Sequence, residues 1–399
     1  MKNEVKDILS DLLGRISMSA LAQHIEMHRA QFQFKLNESI VNGTKYHFSD
    51  EEIKSLSAAL NDFGKSIATA ADKLLNLAKK NERERGRYYT QYNPFDNILF
   101  RQWLELLPQG VKVVEPFCGT CQIPMLLNEI GYNADWVCYD IEPPKRTLLK
   151  VVKRNTIKKF PRGYKVAISN PPYLGKNSAA VRHLDFPQTK YNDLYLLCLD
   201  LMLANCQYVA AIIPESFITQ NLFHSRLYGI VSINYRLFAD TECPVCLALF
   251  VPNGDGSFEI YRGDERLGRY NELKLYDLSE YANVNNWIFN DPDGQIGVVC
   301  IDSHNQDGIK FVRGKEIAWQ IKHSSRSYTR VSGLPNGLDL DTFIRQCNEV
   351  LQDYRHKTTD IFLTSYKGLR KDGKYRRRIE FKTIRYVMNK VLKNMTIGK

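Results

Sequence analysis

The hydrophobic positions divide the chain into three parts. Up to about residue 85, apolar residues recur at helical spacing and strand-like alternation is absent. One such run has its apolar positions at Ile53, Leu56, Leu60 and Phe63. Ser49 precedes three acidic residues, which is typical of a helix N-terminus. We therefore predict a helical domain over residues 1–85, followed by a charged connector.

Between residues 86 and 252, short β-branched runs alternate with helical segments. This alternation is typical of a parallel sheet in an α/β domain. The strand candidates are 111–114, 136–139, 166–169, 209–213 and 246–251. The longest apolar stretch, 194–214, is interrupted by polar residues, so it predicts a buried helix and a strand rather than a membrane span. The pattern predicts a Rossmann-like, mostly parallel core.

After residue 252 the pattern breaks in a turn-rich segment and then mixes strands, loops and basic helices. We predict a mixed α+β domain over residues 253–399. Of the formal net charge of +11, most lies near the carboxyl end, where residues 351–399 hold 14 Lys+Arg and four Asp+Glu. Such a segment favours contact with a polyanion, although a solvated basic helix is the alternative.

Nine cysteines without regular spacing are typical of a reduced intracellular protein rather than a disulfide framework. Two pairs, Cys118/Cys121 and Cys243/Cys246, have the C-x-x-C spacing that zinc sites use. Neither pair has a histidine close by in the sequence. We therefore predict small buried thiols without a metal ion.

Three predicted strands end in residues that can carry chemistry. The first runs into Glu115 and a turn at Gly119, and the second ends at Asp140, where a carboxylate can accept hydrogen bonds from a ribose. Because Glu115 repels phosphate, the site suits a cationic or amino-bearing ligand better than a dinucleotide.

The third strand, 166–169, runs directly into Asn170, Pro171, Pro172 and Tyr173. An amide oxygen and a backbone carbonyl can accept the two hydrogens of a planar amine, and an aromatic ring can stack on the base that carries it. The two prolines fix φ and remove two donors, so the loop is rigid and rich in acceptors. An ordinary turn with a buried tyrosine is the alternative.

These motifs resemble those of the DNA adenine-N6 methyltransferases of restriction-modification systems, in the subgroup whose cofactor motifs precede the catalytic tetrapeptide. The resemblance covers residues from about 85 to 252 and implies a class I enzyme that uses S-adenosylmethionine. It implies cofactor contacts by Tyr89, Thr90, Glu115, Phe117, Gly119, Asp140, Ile141, Asn155 and Asn170. It also implies that the target base is handled by Asn170, Pro171, Tyr173 and Phe238. This chain departs from the family at Gln91, where proline is usual, and at Cys121, where glycine is common.

The chemistry of the amine predicts a mechanism. Asn170 Oδ1 and the Pro171 carbonyl would accept the hydrogens of adenine N6 and aim its lone pair at the sulfonium methyl, so positioning supplies most of the rate. No metal ion and no covalent nucleophile is needed. Because a stacked base cannot reach such a pocket, the nucleotide must be flipped out, at a cost of a few kcal/mol, and held between Tyr173 and Phe238.

The two ends of the chain predict further DNA contacts. Residues 19–60 resemble the helix-turn-helix of phage-type repressors, with a helical cap or dimerisation module as the alternative. The carboxyl-terminal region matches no motif, as expected of a target-recognition domain. The residues we expect to reach phosphates or bases there are Arg326, Arg330, Lys367, Arg370, Lys374, Arg376 and Arg377.

The sequence therefore predicts methyl transfer to N6 of adenine in a specific duplex DNA sequence, in a restriction-modification or phage system. The expected partners are double-stranded DNA and a cognate restriction endonuclease, and the expected location is cytoplasmic, away from membranes. The alternatives are methylation of RNA adenine or of protein glutamine, and a DNA-binding regulator with an inactive methyltransferase fold. The basic segment disfavours the glutamine enzyme, and the intact Asn170, Tyr173, Glu115 and Asp140 disfavour the inactive fold.

Overall fold

A computed structural model of the chain describes residues 22, 25, 27, 29–37, 40–41, 44–45, 48–61, 93–144, 149–233, 235–238, 243–283, 285–305, 308–317, 325–371 and 375–397. The chain divides into two compact units. One comprises Met1–Tyr88 and Leu174–Pro187, and the other comprises Tyr89–Tyr173 and Gln188–Lys399.

The described residues of the first unit include two helices and a short hairpin between them. In chain order these are α1 (Arg29–Leu36), β1 (Ile40–Val41), β2 (Thr44–Lys45) and α2 (Asp50–Asn61). As predicted, Ser49 caps α2, because its hydroxyl accepts the Glu52 amide hydrogen while the Glu52 carboxylate accepts the Ser49 amide hydrogen. The hairpin differs from the all-helical prediction. Its strands flank an Asn-Gly dipeptide, a strong hairpin signal that the helical periodicity concealed. A further helix of this unit spans Lys176–Val181.

The second unit is built on a nine-stranded sheet. Its strands are β3 (Lys112–Glu115), β4 (Asp135–Asp140), β5 (Val151–Lys153), β6 (Val166–Ser169), β7 (Tyr208–Pro214), β8 (Leu227–Ser232), β9 (Val245–Phe250), β10 (Glu259–Arg262) and β11 (Glu265–Arg269). Their order in space is β5-β4-β3-β6-β7-β9-β8-β10-β11. Five of the eight neighbouring pairs are parallel. The predicted α/β fold with a mostly parallel sheet is confirmed.

The five predicted strands correspond to β3, β4, β6, β7 and β9. Two strands between them, β5 and β8, were not predicted. The centre of the sheet is apolar on both faces, because β6 and β9 are buried at every position and β7 at every position but its ends. Such uninterrupted burial is typical of sheets that helices cover on both sides.

Three helices of this unit border the predicted core strands. They are α3 (Ile98–Glu105), α4 (Gln122–Glu129) and α5 (Leu194–Asn205). Asn97 caps α3, and the indole of Trp103 on α3 donates to the carbonyl of Phe250 on β9. Gly229 on β8 permits this packing, because a Cβ there would lie 2.7 Å from Leu99 Cδ2.

The carboxyl-terminal part of the same unit has its own core. Its elements are α6 (Tyr270–Lys274), β12 (Ile288–Phe289), β13 (Ile296–Val299), β14 (Lys310–Arg313), β15 (Tyr328–Ser332), α7 (Leu340–Thr358), β16 (Thr364–Leu369), β17 (Tyr375–Arg378) and α8 (Phe381–Ile397). Strands β12 to β15 form an antiparallel sheet, and β16 pairs with β17 in a hairpin. Residues of α7 and α8 share a buried apolar cluster with this sheet.

The nine-stranded sheet itself continues to Arg269, past residue 252, where the sequence pattern placed the end of the core. Among the helices that the structure describes, none is long and apolar enough to cross a membrane.

Candidate active site

The strand ends singled out in the sequence lie side by side in the sheet. Strand β3 ends at Glu115 and has β4 and β6 as its neighbours, both parallel to it. Asp140 ends β4, and Asn170 directly follows β6. Because the carboxyl ends of parallel strands meet at one edge of a sheet, these three residues share an edge. Open α/β sheets bind their ligands at this edge.

Within the loop after β6, Tyr173 is bonded to the amide that the sequence predicted to be catalytic. The Tyr173 hydroxyl lies 2.6 Å from Asn170 Oδ1 and 2.7 Å from the carbonyl oxygen of Ile212 on β7. A hydroxyl has one hydrogen to donate, so the two acceptors share it. The contact fixes the direction in which the Asn170 amide oxygen points.

The ring of Tyr173 meets two other aromatic rings. Its centroid lies 6.2 Å from that of Phe238 and 6.3 Å from that of Tyr195, in both cases edge to face. Phe238 is fully buried. Because the rings of Tyr173 and Phe238 are not parallel, no slot for a base lies between them in this arrangement. An adenine held between them, as the sequence predicts, requires one ring to turn.

Glu115 is a buried carboxylate at the end of β3, with 1% of its surface exposed. Burial raises the pKa of Glu115 well above its usual value, and the nearby Cys121 and Asp140 raise it further. Its Oε2 atom has no hydrogen-bond partner among the residues that the structure describes. A buried acceptor of this kind is stabilised by a cationic donor, which would restore its charge.

The glycine turn after β3 is tied to the end of β4. Gly119, at φ 53°, donates its amide hydrogen to Asp140 Oδ2 over 2.9 Å, and Glu142 donates its own to Asp140 Oδ1 over 2.8 Å. The next residue after the acid, Ile141, is 50% exposed, and Phe117 packs against the main core. The turn and the acid therefore form one connected edge, with an exposed apolar side chain beside it.

One of the predicted cofactor contacts, Asn155, has a local structural role. Asn155 Oδ1 accepts the amide hydrogen of Lys158 and so caps a turn. The hydroxyl of the adjacent Thr156 donates to the Pro116 carbonyl over 3.0 Å, which fixes this turn against the loop after β3. The remaining predicted contacts, Tyr89 and Thr90, lie outside the described residues.

One buried group near the site was given no role by the sequence. Glu215 follows β7 and accepts hydrogen bonds from the hydroxyls of Ser232 and Ser365, and its Oε2 lies 3.0 Å from Arg377 Nη1. Burial pushes the pKa of Glu215 upward, but Arg377 and the two hydroxyls outweigh it and hold that pKa below its usual value. The sequence carries no signal for a pair 162 residues apart.

The residues predicted to contact DNA differ in how deeply they are buried. Arg330 and Arg377 are buried; Arg330 donates to the carbonyls of Pro292 and Ile317, and Arg377 pairs with Glu215. Both guanidinium groups are bonded within the protein, so this arrangement does not present them to DNA.

The other predicted contacts are placed differently. Arg326 is exposed and Arg370 is half-buried. Arg376 is half-buried and donates to the Asp302 carbonyl while its guanidinium covers the Tyr366 ring. Lys374 and the side chain of Lys367 lie outside what the structure describes.

Comparison with protein families gives one match. Residues 5–74 match the model of a family described as a domain of unknown function, DUF5053. The match overlaps the predicted helical domain and assigns it no activity. No curated protein matches the sequence.

Comparison with solved structures gives distant similarities. A Listeria monocytogenes protein described as a class I S-adenosylmethionine-dependent methyltransferase is 15% identical, with a TM-score of 0.32, 64% of this chain covered and 90% of the other. The type I restriction-modification methyltransferase subunit of Streptococcus thermophilus is 10% identical, with a TM-score of 0.33 and coverages of 64% and 66%. The M protein of the type I restriction enzyme EcoKI is 11% identical, with a TM-score of 0.31 and coverages of 65% and 70%.

The matched part thus spans about two thirds of the length of each restriction-system protein. At such identities and TM-scores these similarities carry no argument about activity. The features that indicate a function are the strand order and the three residues at the sheet edge, Glu115, Asp140 and Asn170.

Proposed function

We propose that this chain transfers a methyl group from S-adenosylmethionine to N6 of a flipped-out adenine in a specific duplex DNA sequence, within a restriction-modification or phage system. The observation that carries the proposal is the position of the loop from Asn170 to Tyr173. The loop follows β6, which lies directly beside β3 and the buried carboxylate of Glu115. A site for an amine therefore adjoins a site for a cationic ligand.

On the cofactor side, the residues present fit S-adenosylmethionine. The Asp140 carboxylate suits the ribose hydroxyls, and the exposed Ile141 beside it suits an apolar purine face. The unpartnered Oε2 of Glu115 suits the ammonium group of the methionine end. When bound, the cofactor supplies a methyl group on a positively charged sulfur.

On the acceptor side, Asn170 Oδ1 and the Pro171 carbonyl would accept the two hydrogens of adenine N6. These hydrogen bonds leave more of the nitrogen lone pair available for attack on the methyl carbon, whose bond to sulfur breaks as the new bond to nitrogen forms. The surplus proton on N6 then passes to solvent or to the region of Asn170. The Tyr173 hydroxyl holds the Asn170 amide in one orientation, so the acceptor is in place before the base arrives. The Tyr173 ring would stack on the base after it leaves the duplex.

The charge distribution supports a polyanionic substrate. Residues 351–399 hold 14 Lys+Arg against four Asp+Glu. The carboxyl-terminal region belongs to the same compact unit as the sheet, so a duplex bound there is attached to the unit that holds the proposed site. Long-range attraction of this kind raises both the rate and the strength of nucleic-acid binding.

The proposal is tested with tritiated S-adenosylmethionine and three substrates: duplex DNA, RNA and a protein mixture. We expect the wild type to label duplex DNA and Asn170→Ala to lose at least about 100-fold of that activity, as when a preorganised polar contact is removed. Label in RNA or protein alone, or equal labelling of DNA by both enzymes, would contradict it.

A further inference from the structure

Three cysteines come together beneath the glycine turn. Cys118 and Cys121 lie in the loop between β3 and α4, and Cys138 lies in β4. Their sulfur atoms all lie within 4.8 Å of one another, and those of Cys118 and Cys121 are 3.1 Å apart. The sequence showed only the C-x-x-C pair, because the third cysteine is brought in by the pairing of β4 with β3.

The cluster is closed to solvent. Cys118 is 6% exposed, Cys121 is fully buried and Cys138 is 1% exposed. Side chains of Trp136, Leu149 and Val151 pack around the three thiols. Cysteines that sense oxidants are accessible to solvent, whereas a structural metal ion is enclosed as the chain folds around it. The burial therefore favours a metal ion over a redox-sensing disulfide.

The backbone at Cys121 is strained in a way that glycine would relieve. Cys121 has φ 63° and ψ 33°, the left-handed conformation that residues with a Cβ avoid. A side chain retained in such a conformation suggests a need for that side chain. The sulfur of Cys121 lies within 4.8 Å of the sulfurs of Cys118 and Cys138, so a shared ligand would account for a cysteine at this position.

The electrostatics of the cluster also suit a cation. Cys121 lies at the N-terminal cap of α4, where the helix dipole favours a thiolate. Glu115 is paired in register with Cys138, and its buried Oε2 atom is without a hydrogen-bond partner in the described part of the chain. Three sulfurs are thus gathered where no described basic side chain is bonded to them.

We propose that Cys118, Cys121 and Cys138 bind one zinc ion, which ties the glycine turn to β4. Zinc is held by thiolates at about 2.3 Å, which places the ligand sulfurs about 3.8–4.0 Å apart. The sulfurs of Cys118 and Cys121 are 3.1 Å apart. They reach the sulfur–sulfur distance of a zinc site if they separate by less than about 1 Å. The three thiolates supply three of the four ligands of a structural zinc ion. This site is independent of the proposed methyl transfer.

Metal content tests the proposal directly. The full-length protein is reduced, equilibrated with zinc chloride, freed of excess metal and analysed by mass spectrometry of the metal. We expect about one zinc per chain in the wild type and less than about 0.1 in Cys138→Ala. Cys300→Ala is the matched control, because Cys300 is fully buried in a different apolar cluster, and it should keep the metal.

A second measurement needs no variant and so remains decisive if Cys138→Ala does not fold. A mercurial that caps thiols is added to the wild type in the presence of a zinc-sensitive dye, and we expect release of about one zinc per chain. A wild type without zinc, full zinc content in a folded Cys138→Ala, or a Cys118–Cys121 disulfide in the unreduced protein would each overturn the proposal.

Discussion

Tyr173 has two separable contributions to the proposed site. Its hydroxyl lies within hydrogen-bonding distance of Asn170 and of the Ile212 carbonyl, while its ring packs edge to face with Phe238. The sequence predicted the ring as a stacking surface. It could not predict the hydroxyl contact, because that contact depends on where β7 places the Ile212 carbonyl.

Two substitutions at Tyr173 separate these contributions. Tyr173→Phe keeps the ring and loses one hydrogen bond, so we expect kcat/KM with duplex DNA to fall by about 2- to 10-fold. Tyr173→Ala also loses stacking on the flipped base, which is worth about 1–3 kcal/mol, so we expect a further loss of about 10- to 100-fold. Equal kinetics of the two variants would show that the ring does not contact the base.

Two arginines of one basic stretch differ in burial, which the sequence does not predict. Arg326 and Arg330 are four positions apart in one basic stretch, yet Arg326 is exposed and Arg330 is buried. Composition cannot distinguish them, because burial depends on the strands and loops that cover each side chain. Arg326 is therefore the better candidate for a phosphate contact.

Salt dependence tests Arg326. If its guanidinium contacts one phosphate, Arg326→Ala should reduce the magnitude of the negative slope of log K against log salt by about 0.9. The measurement is duplex binding over a series of salt concentrations, by fluorescence anisotropy. Arg345→Ala is the control, since Arg345 is an exposed arginine on α7 whose guanidinium pairs with Glu349. An unchanged slope in Arg326→Ala would remove Arg326 from the DNA contacts.

The sequence predicted the strands of the core better than it predicted the partners of individual side chains. Strands β3, β4, β6, β7 and β9 were predicted because short β-branched runs alternate there with helical segments. Strand β5 has three residues, the last two of them exposed, and β8 contains Gly229, so neither gives a clear pattern. The order of the strands in the sheet could not be predicted from the sequence either, because β9 lies between β7 and β8.

The two ends of β4 provide a matched test of the cofactor edge. Asp140, at the carboxyl end, is proposed to accept ribose hydroxyls, while Asp135, at the amino end, forms an exposed ion pair with Lys112. We expect Asp140→Asn to weaken binding of S-adenosylmethionine by about 10- to 100-fold, since hydrogen bonds to a charged acceptor are worth about 1.5–3 kcal/mol. Asp135→Asn should leave the affinity unchanged.

Isothermal titration calorimetry measures both affinities. Equal effects of the two substitutions, or normal affinity in Asp140→Asn, would contradict the assignment of this sheet edge to the cofactor.

Across the whole unit, one buried ion pair joins residues that are far apart in sequence. Glu215 follows the core strand β7, and Arg377 lies in the hairpin strand β17 of the carboxyl-terminal region. The side chains are 4% and 9% exposed, so removal of one partner leaves a buried charge without compensation. We therefore expect Arg377 to stabilise the fold through this pair.

Unfolding in urea tests this role. Arg377→Met should lower the free energy of unfolding by about 3–5 kcal/mol, the usual effect of breaking a buried pair. Arg345→Met, which breaks an ion pair whose partners are 61% and 59% exposed, should change it by less than about 1 kcal/mol. Similar stabilities of the two variants would contradict the assigned role of the buried pair.

The same pair predicts how stability depends on pH. The pKa of Glu215 is lower in the folded protein than its value of about 4.3 in the unfolded chain, so its ionisation stabilises the fold above that pH. This stabilisation is lost as the pH falls through the folded value. We expect the wild type to lose stability below about pH 4 more steeply than Glu215→Gln does. Parallel pH profiles would show that Glu215 does not titrate as proposed.

Sequencing of methylated bases tests the proposed reaction most directly. Genomic DNA is taken from a host without adenine methyltransferases of its own that expresses the wild type, Asn170→Ala or the control Asn205→Ala, whose amide donates to the Leu201 carbonyl within α5. We predict N6-methyladenine at one sequence motif with the wild type and the control, and none with Asn170→Ala. Unmethylated DNA from cells that contain folded wild type, or equal methylation with Asn170→Ala, would contradict the proposed function.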